Sequence, residues 1–101
     1  MKQTAQLDIV VSFVKKDRVV IHPNDGFDIG LIALSNPVKM FMNCNDGQFL
    51  ESTVDHSIVD LSLLNECKPG TIQMHKTIWE KLGKPPKIVV KYHDGKIMLV
   101  K

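Results

Sequence analysis

The residues best suited to metal, redox or nucleophilic chemistry are four histidines, His22, His56, His75 and His93, and two cysteines, Cys44 and Cys67. No histidine pair stands at zinc-ligand spacing with a cysteine, so no metal centre and no cofactor are expected. The cysteines are far apart in the chain and match no redox motif. They read as two reduced, partly buried thiols. His22 and His75 each follow a β-branched or apolar run. They serve either as a joint site across an internal twofold axis or as residues where the chain turns from strand into helix. There is no Gly-x-Ser-x-Gly, no phosphate-cradling glycine loop and no carboxylate pair at helical spacing, so no enzymatic activity is expected.

A second chemistry is contact with phosphate. Lys15, Lys16 and Arg18 place three cations within four residues, opposed only by Asp17. Arg18 is the single arginine of the chain. A guanidinium can fork onto a guanine edge, whereas lysines act as point charges toward a backbone. Lys68 is the lone cation of a corresponding loop in the second half. Lys15, Lys16, Arg18 and Lys68 are therefore the candidate binding residues.

The elements that position these residues belong to one small domain. The chain has 101 residues, 44% hydrophobic and 24% charged, with a net charge of +2. Those values exclude disorder and coiled coil as descriptions of the whole, and the charge does not by itself demand nucleic acid. Residues 1–52 carry five cations against six anions, and residues 53–101 eight lysines against five anions. The second half is the expected electrostatic footprint. No apolar run approaches the roughly 18 residues of a membrane span, and the first residues do not read as a signal peptide. A cytoplasmic location is expected, with no membrane partner.

β-branched and apolar runs predict strands over 7–14, 19–21, 38–44, 57–64 and 71–74. Asn24 or Asp25 is expected to cap a short helix running to Leu34, and a second helix is predicted over 75–82, closed by Gly83. Ile78, Trp79 and Leu82 form its core-facing stripe. Asp46-Gly47 and Asp94-Gly95 read as two tight hairpin turns, with return strands over 48–51 and 96–101. Met40-Phe41-Met42 makes a strand apolar on both faces, either buried on both sides or open to a second copy in a homodimer. Lys84, Lys87, Lys91, Lys96 and Lys101 populate the last hairpin, where they either block edge-to-edge pairing or form a phosphate-binding face.

The two halves also resemble each other at an offset that sets Leu34 against Leu82, Pro37 against Pro85, Lys39 against Lys87 and Asp46-Gly47 against Asp94-Gly95. The expected fold is mostly β (α+β). Two ββαββ repeats, about 5–52 and 55–101, close around a shared pseudo-twofold core within one domain, 1–101. Neither half could bury its apolar face alone.

The run from Gly70 through Thr71-Ile72-Gln73-Met74-His75 to Leu82-Gly83 resembles the AbrB/SpoVT/MazE swapped-hairpin motif. The strand Lys87-Ile88-Val89-Val90 and the closing Asp94-Gly95 continue the likeness. The first half is similar through Arg18-Val19-Val20-Ile21-His22-Pro23, and two such units in one chain resemble the arrangement of MraZ. The resemblance implies a small barrel of the AbrB/double-psi type. It also implies a non-enzymatic DNA-binding regulator or antitoxin, contacting double-stranded DNA from the loop holding Lys15, Lys16 and Arg18. The usual arginine cluster is absent, and Thr71 takes the arginine position in the second half. The alternative is a protein-interaction module, of phage or mobile-element type, that keeps the fold without the DNA surface.

Overall fold

A computed structural model describes the whole chain, residues 1–101. In order, its elements are β1 (Lys2–Gln3), β2 (Leu7–Val11), β3 (Arg18–Ile21), α1 (Pro23–Asp28), β4 (Ser35–Met42) and α2 (Asp46–Glu51). They continue with β5 (Ser57–Leu63), β6 (Thr71–Met74), α3 (Lys76–Lys81), β7 (Lys87–His93) and β8 (Lys96–Val100). The strands lie in the order β1-β7-β2-β6-β3-β5-β4-β8, and β7 also pairs with β8. The pairing from β7 round to β8 thus closes a mostly β, seven-stranded barrel, to which β1 is appended. No helix is long and apolar enough to cross a membrane.

The halves interleave. β2 runs parallel to β6, with Asp8 opposite Thr71, and β3 runs parallel to β5, with Arg18 opposite Asp60. Between them β3 and β6 pair antiparallel, Val19 opposite Met74 and Ile21 opposite Ile72. Arg18 and Thr71 therefore hold equivalent places, as do Asp8 and Asp60. Alternation then follows from the pleat: Val19 and Ile21, Ile72 and Met74, and Val59, Leu61 and Leu63 all enter one buried cluster of 17 residues. Every barrel strand contributes to it.

Two short helices start the same way. His22 caps α1 and His75 caps α3, each ring Nδ1 accepting the backbone N–H two residues on, from Asn24 at 3.0 Å and Thr77 at 3.1 Å. The cap of α1 is thus His22 and not Asn24 or Asp25, and the helix stops at Asp28, well short of Leu34. Asp25 has a different part. It is buried, and its Oδ2 accepts the Gly70 N–H at 2.9 Å, tying α1 to the loop before β6. α3 ends as expected, with Leu82 as C-cap and Gly83 at φ 89°. Ile78 and Leu82 are buried, but Trp79 is only partly so. It sits at the margin of the core, with its Nε1 donating to the Pro85 carbonyl at 2.9 Å.

The main correction concerns Asp46-Gly47. These residues open α2, and no return strand forms over 48–51. The local reason is a capping box: Asn45 Oδ1 accepts the Gln48 N–H at 2.8 Å, and Gln48 Oε1 accepts the Asn45 N–H at 3.0 Å. The tertiary reason is that the edge of β4 is already taken. β8 lies there in parallel, with Lys39 opposite Lys96 and Met42 opposite Leu99. The helix instead lays Phe49 edge-on against Phe41, ring centroids 5.5 Å apart, and with Met98 they form a second small core. Both faces of the Met40-Phe41-Met42 strand are covered within the chain. By contrast Asp94 and Gly95, at φ 47° and 77°, make the expected tight turn between β7 and β8. The sequence offset that equated the two dipeptides also matches Leu34, 71% exposed, with Leu82, 0% exposed. It is not the structural correspondence.

These two Asp-Gly pairs should respond oppositely to substitution. Gly95→Val forces a β-branched residue into positive φ and should cost about 1–2 kcal/mol. Gly47→Ala, in a helical first turn with no close neighbour beyond Asn45 Oδ1 at 3.5 Å, should be neutral or stabilise by up to about 1 kcal/mol. Urea denaturation of the two variants against wild type reads both signs.

Candidate interaction surface

The loop 12–17 joins β2 to β3 and carries Lys15 and Lys16, both exposed and without an ion-pair partner in the chain. Arg18, the first residue of β3, is held. Its Nε donates to Ser62 Oγ at 2.9 Å and lies 4.0 Å from Asp60 Oδ2. Asp60 in turn accepts from Ser35 Oγ at 2.6 Å and from Ser62 Oγ. The Asp60 backbone N–H donates to the Asp17 carbonyl at 2.7 Å, fastening the loop to β5. Partial burial pushes the Asp60 carboxyl up, but the hydrogen bonds from Ser35, Ser62 and the Asn36 backbone, with the Arg18 charge, outweigh it. The carboxyl therefore lies below its ordinary value. The two terminal nitrogens of Arg18 make no hydrogen bond within the chain.

Lys68 does not join this group. It lies in the equivalent loop, 64–70, exposed. Because β3 and β6 run antiparallel, the loop entering β3 sits at the Met74 end of that pair, and the loop entering β6 sits at the Ile21 end. Four strand residues separate the two ends, a span on the order of 10–13 Å. The structure brings Lys15, Lys16 and Arg18 together and sets Lys68 at the other end of the barrel.

What joins the first loop is α3. Ser12 donates its N–H to the Met74 carbonyl at 3.1 Å, which brings the loop beside the start of the helix. Lys16 and Lys81 then line one groove of about 400 Å³ whose floor is Met40, Met42, Ile58 and Ile78. Lys76 is exposed on the same helix. The periodicity of α3 puts Lys76 and Lys81 toward water, but only the tertiary fold puts Lys81 across a groove from Lys16.

The lysines of the last hairpin do not form a free basic face. Lys91 Nζ lies 2.9 Å from Asp46 Oδ1, and Lys87 Nζ lies 3.6 Å from Asp8 Oδ1. Lys96 Nζ donates to the carbonyls of Phe49 and Leu50 at 3.0 and 2.7 Å, and Lys101 Nζ to that of Leu82 at 2.8 Å. These two lysines close the C-terminal ends of α2 and α3, where unpaired carbonyls concentrate negative potential. Lys84 lies over the Trp79 ring at 5.9 Å. The basic excess of residues 53–101 is largely committed inside the molecule.

His22 and His75 share no site. They follow Ile21 and Met74, which lie at opposite ends of the β3–β6 pair, and each ring is used as a helix cap. Cys44 packs its Sγ against Met98 Sδ at 3.5 Å, and Cys67 is buried. Burial pushes both thiols up, away from the reactive thiolate.

Sequence reasoning missed the exposed apolar side chains. Phe13, in the same loop as Lys15 and Lys16, is fully exposed. Val10 and Val11 precede it on a stretch of β2 that β7 does not pair, and Ile58 stands 61% exposed at the groove. At the other end of the barrel, Phe27, Ile32 and Leu34 are 65%, 78% and 71% exposed. Ile29 is buried, but Ile32 and Leu34 lie on the irregular connection between α1 and β4, where no helical stripe marks which apolar residues turn inward.

The Asp60 cluster sets a pH dependence. A carboxyl with a depressed folded pKa contributes stability that is complete above the unfolded value near 4 and is lost as pH falls through the folded value. Asp60→Asn should therefore melt below wild type at neutral pH, with the gap closing as pH falls below about 4. A gap that stays constant down to the most acid point would show the carboxylate is not specially held. No protein-family model matches the sequence, and neither a curated protein nor a solved structure matches it.

Proposed function

We propose that the chain is a non-enzymatic protein-interaction module. The observation that carries this reading is the exposed apolar side chains on connections at both ends of a closed barrel. Phe13 stands at one end, and Phe27, Ile32 and Leu34 at the other. Contiguous exposed apolar residues rimmed by charge are the mark of a binding surface. Such residues give no advantage in phosphate contact. The lone arginine is engaged with Ser62 and Asp60, and five lysines of the second half are engaged elsewhere in the chain.

The second reading is contact with double-stranded DNA, as the swapped-hairpin resemblance implies. It draws support from Lys15, Lys16, Lys76 and Lys81, which adjoin at one end and have no ion-pair partner in the chain, and from the terminal nitrogens of Arg18. Regulatory or antitoxin function would follow from that reading and not from the first.

Salt separates the two. A DNA-backbone binder loses affinity steeply as salt rises, with a slope close to one unit per phosphate contact. Retention on duplex DNA should be absent for wild type at both about 50 and about 200 mM salt. Strong low-salt retention that the combined substitution K15A/K16A/K76A/K81A abolishes would replace the interaction reading with the DNA reading.

A further inference from the structure

We propose that Asp94 is a modification site: of the three Asp-Gly pairs in the chain, it alone converts to isoaspartate while the protein is folded. The pairs are Asp25-Gly26, Asp46-Gly47 and Asp94-Gly95. Aspartate before glycine is the arrangement most open to this reaction, because glycine has no side chain to shield its amide nitrogen. The Gly95 nitrogen, losing its proton, attacks Cγ of the protonated Asp94 carboxyl. An N–Cγ bond forms, the Cγ–OH bond breaks and water leaves, which closes a succinimide ring. Water then adds to either ring carbonyl, and the ring opens to aspartate or to isoaspartate. One water leaves and one returns, so no other reactant is needed.

The fold withholds the other two pairs. Ring closure needs the aspartate backbone to swing its following amide toward its own carboxyl, away from helical geometry. Asp25 and Gly26 lie inside α1, where the Gly26 N–H donates to the His22 carbonyl at 3.1 Å. The Asp25 carboxylate is buried and accepts the Gly70 N–H at 2.9 Å. Asp46 opens α2 behind the Asn45–Gln48 capping box, and its Oδ1 lies 2.9 Å from Lys91 Nζ. That ammonium holds it as the carboxylate, which has no hydroxyl to lose. Asp94 is exposed, and its carboxyl makes no ion pair in the chain. No atom stands within 4 Å of the space a Gly95 side chain would fill, and the Gly95 N–H is tethered only by a 3.2 Å bond to the Tyr92 hydroxyl. A two-residue turn with neither residue packed can open locally without disturbing the core. The aspartates at 8, 17, 28, 55 and 60 precede Ile9, Arg18, Ile29, His56 and Leu61, whose side chains crowd the attacking nitrogen. The product would route the main chain through the Asp94 Cβ, adding one carbon to the turn that joins β7 to β8.

The test incubates two samples of wild-type protein in mildly acidic buffer at body temperature, one folded and one unfolded in concentrated urea. Peptides from each are read by electron-transfer mass spectrometry, whose backbone fragments tell isoaspartate from aspartate. In urea the three Asp-Gly pairs should form comparable amounts of isoaspartate. In the folded protein Asp94 should carry nearly all of it. Asp94→Glu, whose longer side chain cannot close the same ring, should leave the folded protein almost free of isoaspartate. Folded wild type in which Asp25 or Asp46 carries as much as Asp94 overturns the proposal. So does folded wild type in which Asp94 stays unmodified while the urea sample reacts. Neither result bears on DNA retention, so the interaction reading stands or falls separately.

Discussion

The antiparallel pairing of β3 with β6, flanked by the parallel pairs β2–β6 and β3–β5, is the contact on which the rest of the molecule depends. Each half lends a strand to the middle of the other. Val19, Ile21, Ile72 and Met74 meet there with no exposure to water. Neither half has a closed face without the other, which matches the limited area a unit of about fifty residues can bury. The same arrangement fixes the poles. A strand inserted between two connected strands forces their connection to pass over an end of the barrel, so the loops 12–17 and 64–70 are obliged to lie at opposite ends.

Charge follows from that geometry by subtraction. Helices of six residues end in several unpaired carbonyls, and two of the three have a lysine from β8 or just beyond it to meet them. Lys87 and Lys91 face carboxylates across neighbouring segments. Among the cations left free of ion pairs, Lys15 and Lys16 lie on a loop fastened by the Asp60–Asp17 backbone bond, with Lys76 and Lys81 on the adjoining helix, while Lys2, Lys39 and Lys68 are free elsewhere. The surface available to a partner is therefore set less by how many cations the chain holds than by which ones the fold leaves unused.

Several features were legible in the residues themselves. β-branched and apolar runs located five of the seven barrel strands to within a few residues, and the last hairpin, β7 and β8, was placed by Asp94-Gly95. The stripe Ile78 and Leu82, stopped by Gly83, marked α3. His22 and His75 could be read as residues where the chain turns from strand into helix, and each ring caps the helix that follows it. Lys15, Lys16 and Arg18 were found because they are adjacent in sequence.

The rest required knowing which strand lies beside which. Asp46-Gly47 and Asp94-Gly95 are the same dipeptide, yet one opens a helix and the other turns a hairpin. The difference is that β8, from the far end of the chain, already occupies the β4 edge that a local return strand would need. Arg18 is held because Ser62 and Asp60 arrive from β5, and Lys96 is withdrawn from the surface because α2 ends beside it. By itself the sequence determined periodicity, turn chemistry and the strand content of a mostly β domain, since these depend on neighbours within a few residues. The tertiary structure alone decided which edges were free, which cations were paired and which apolar residues were left in water. Each of those depends on segments brought together from distant parts of the chain.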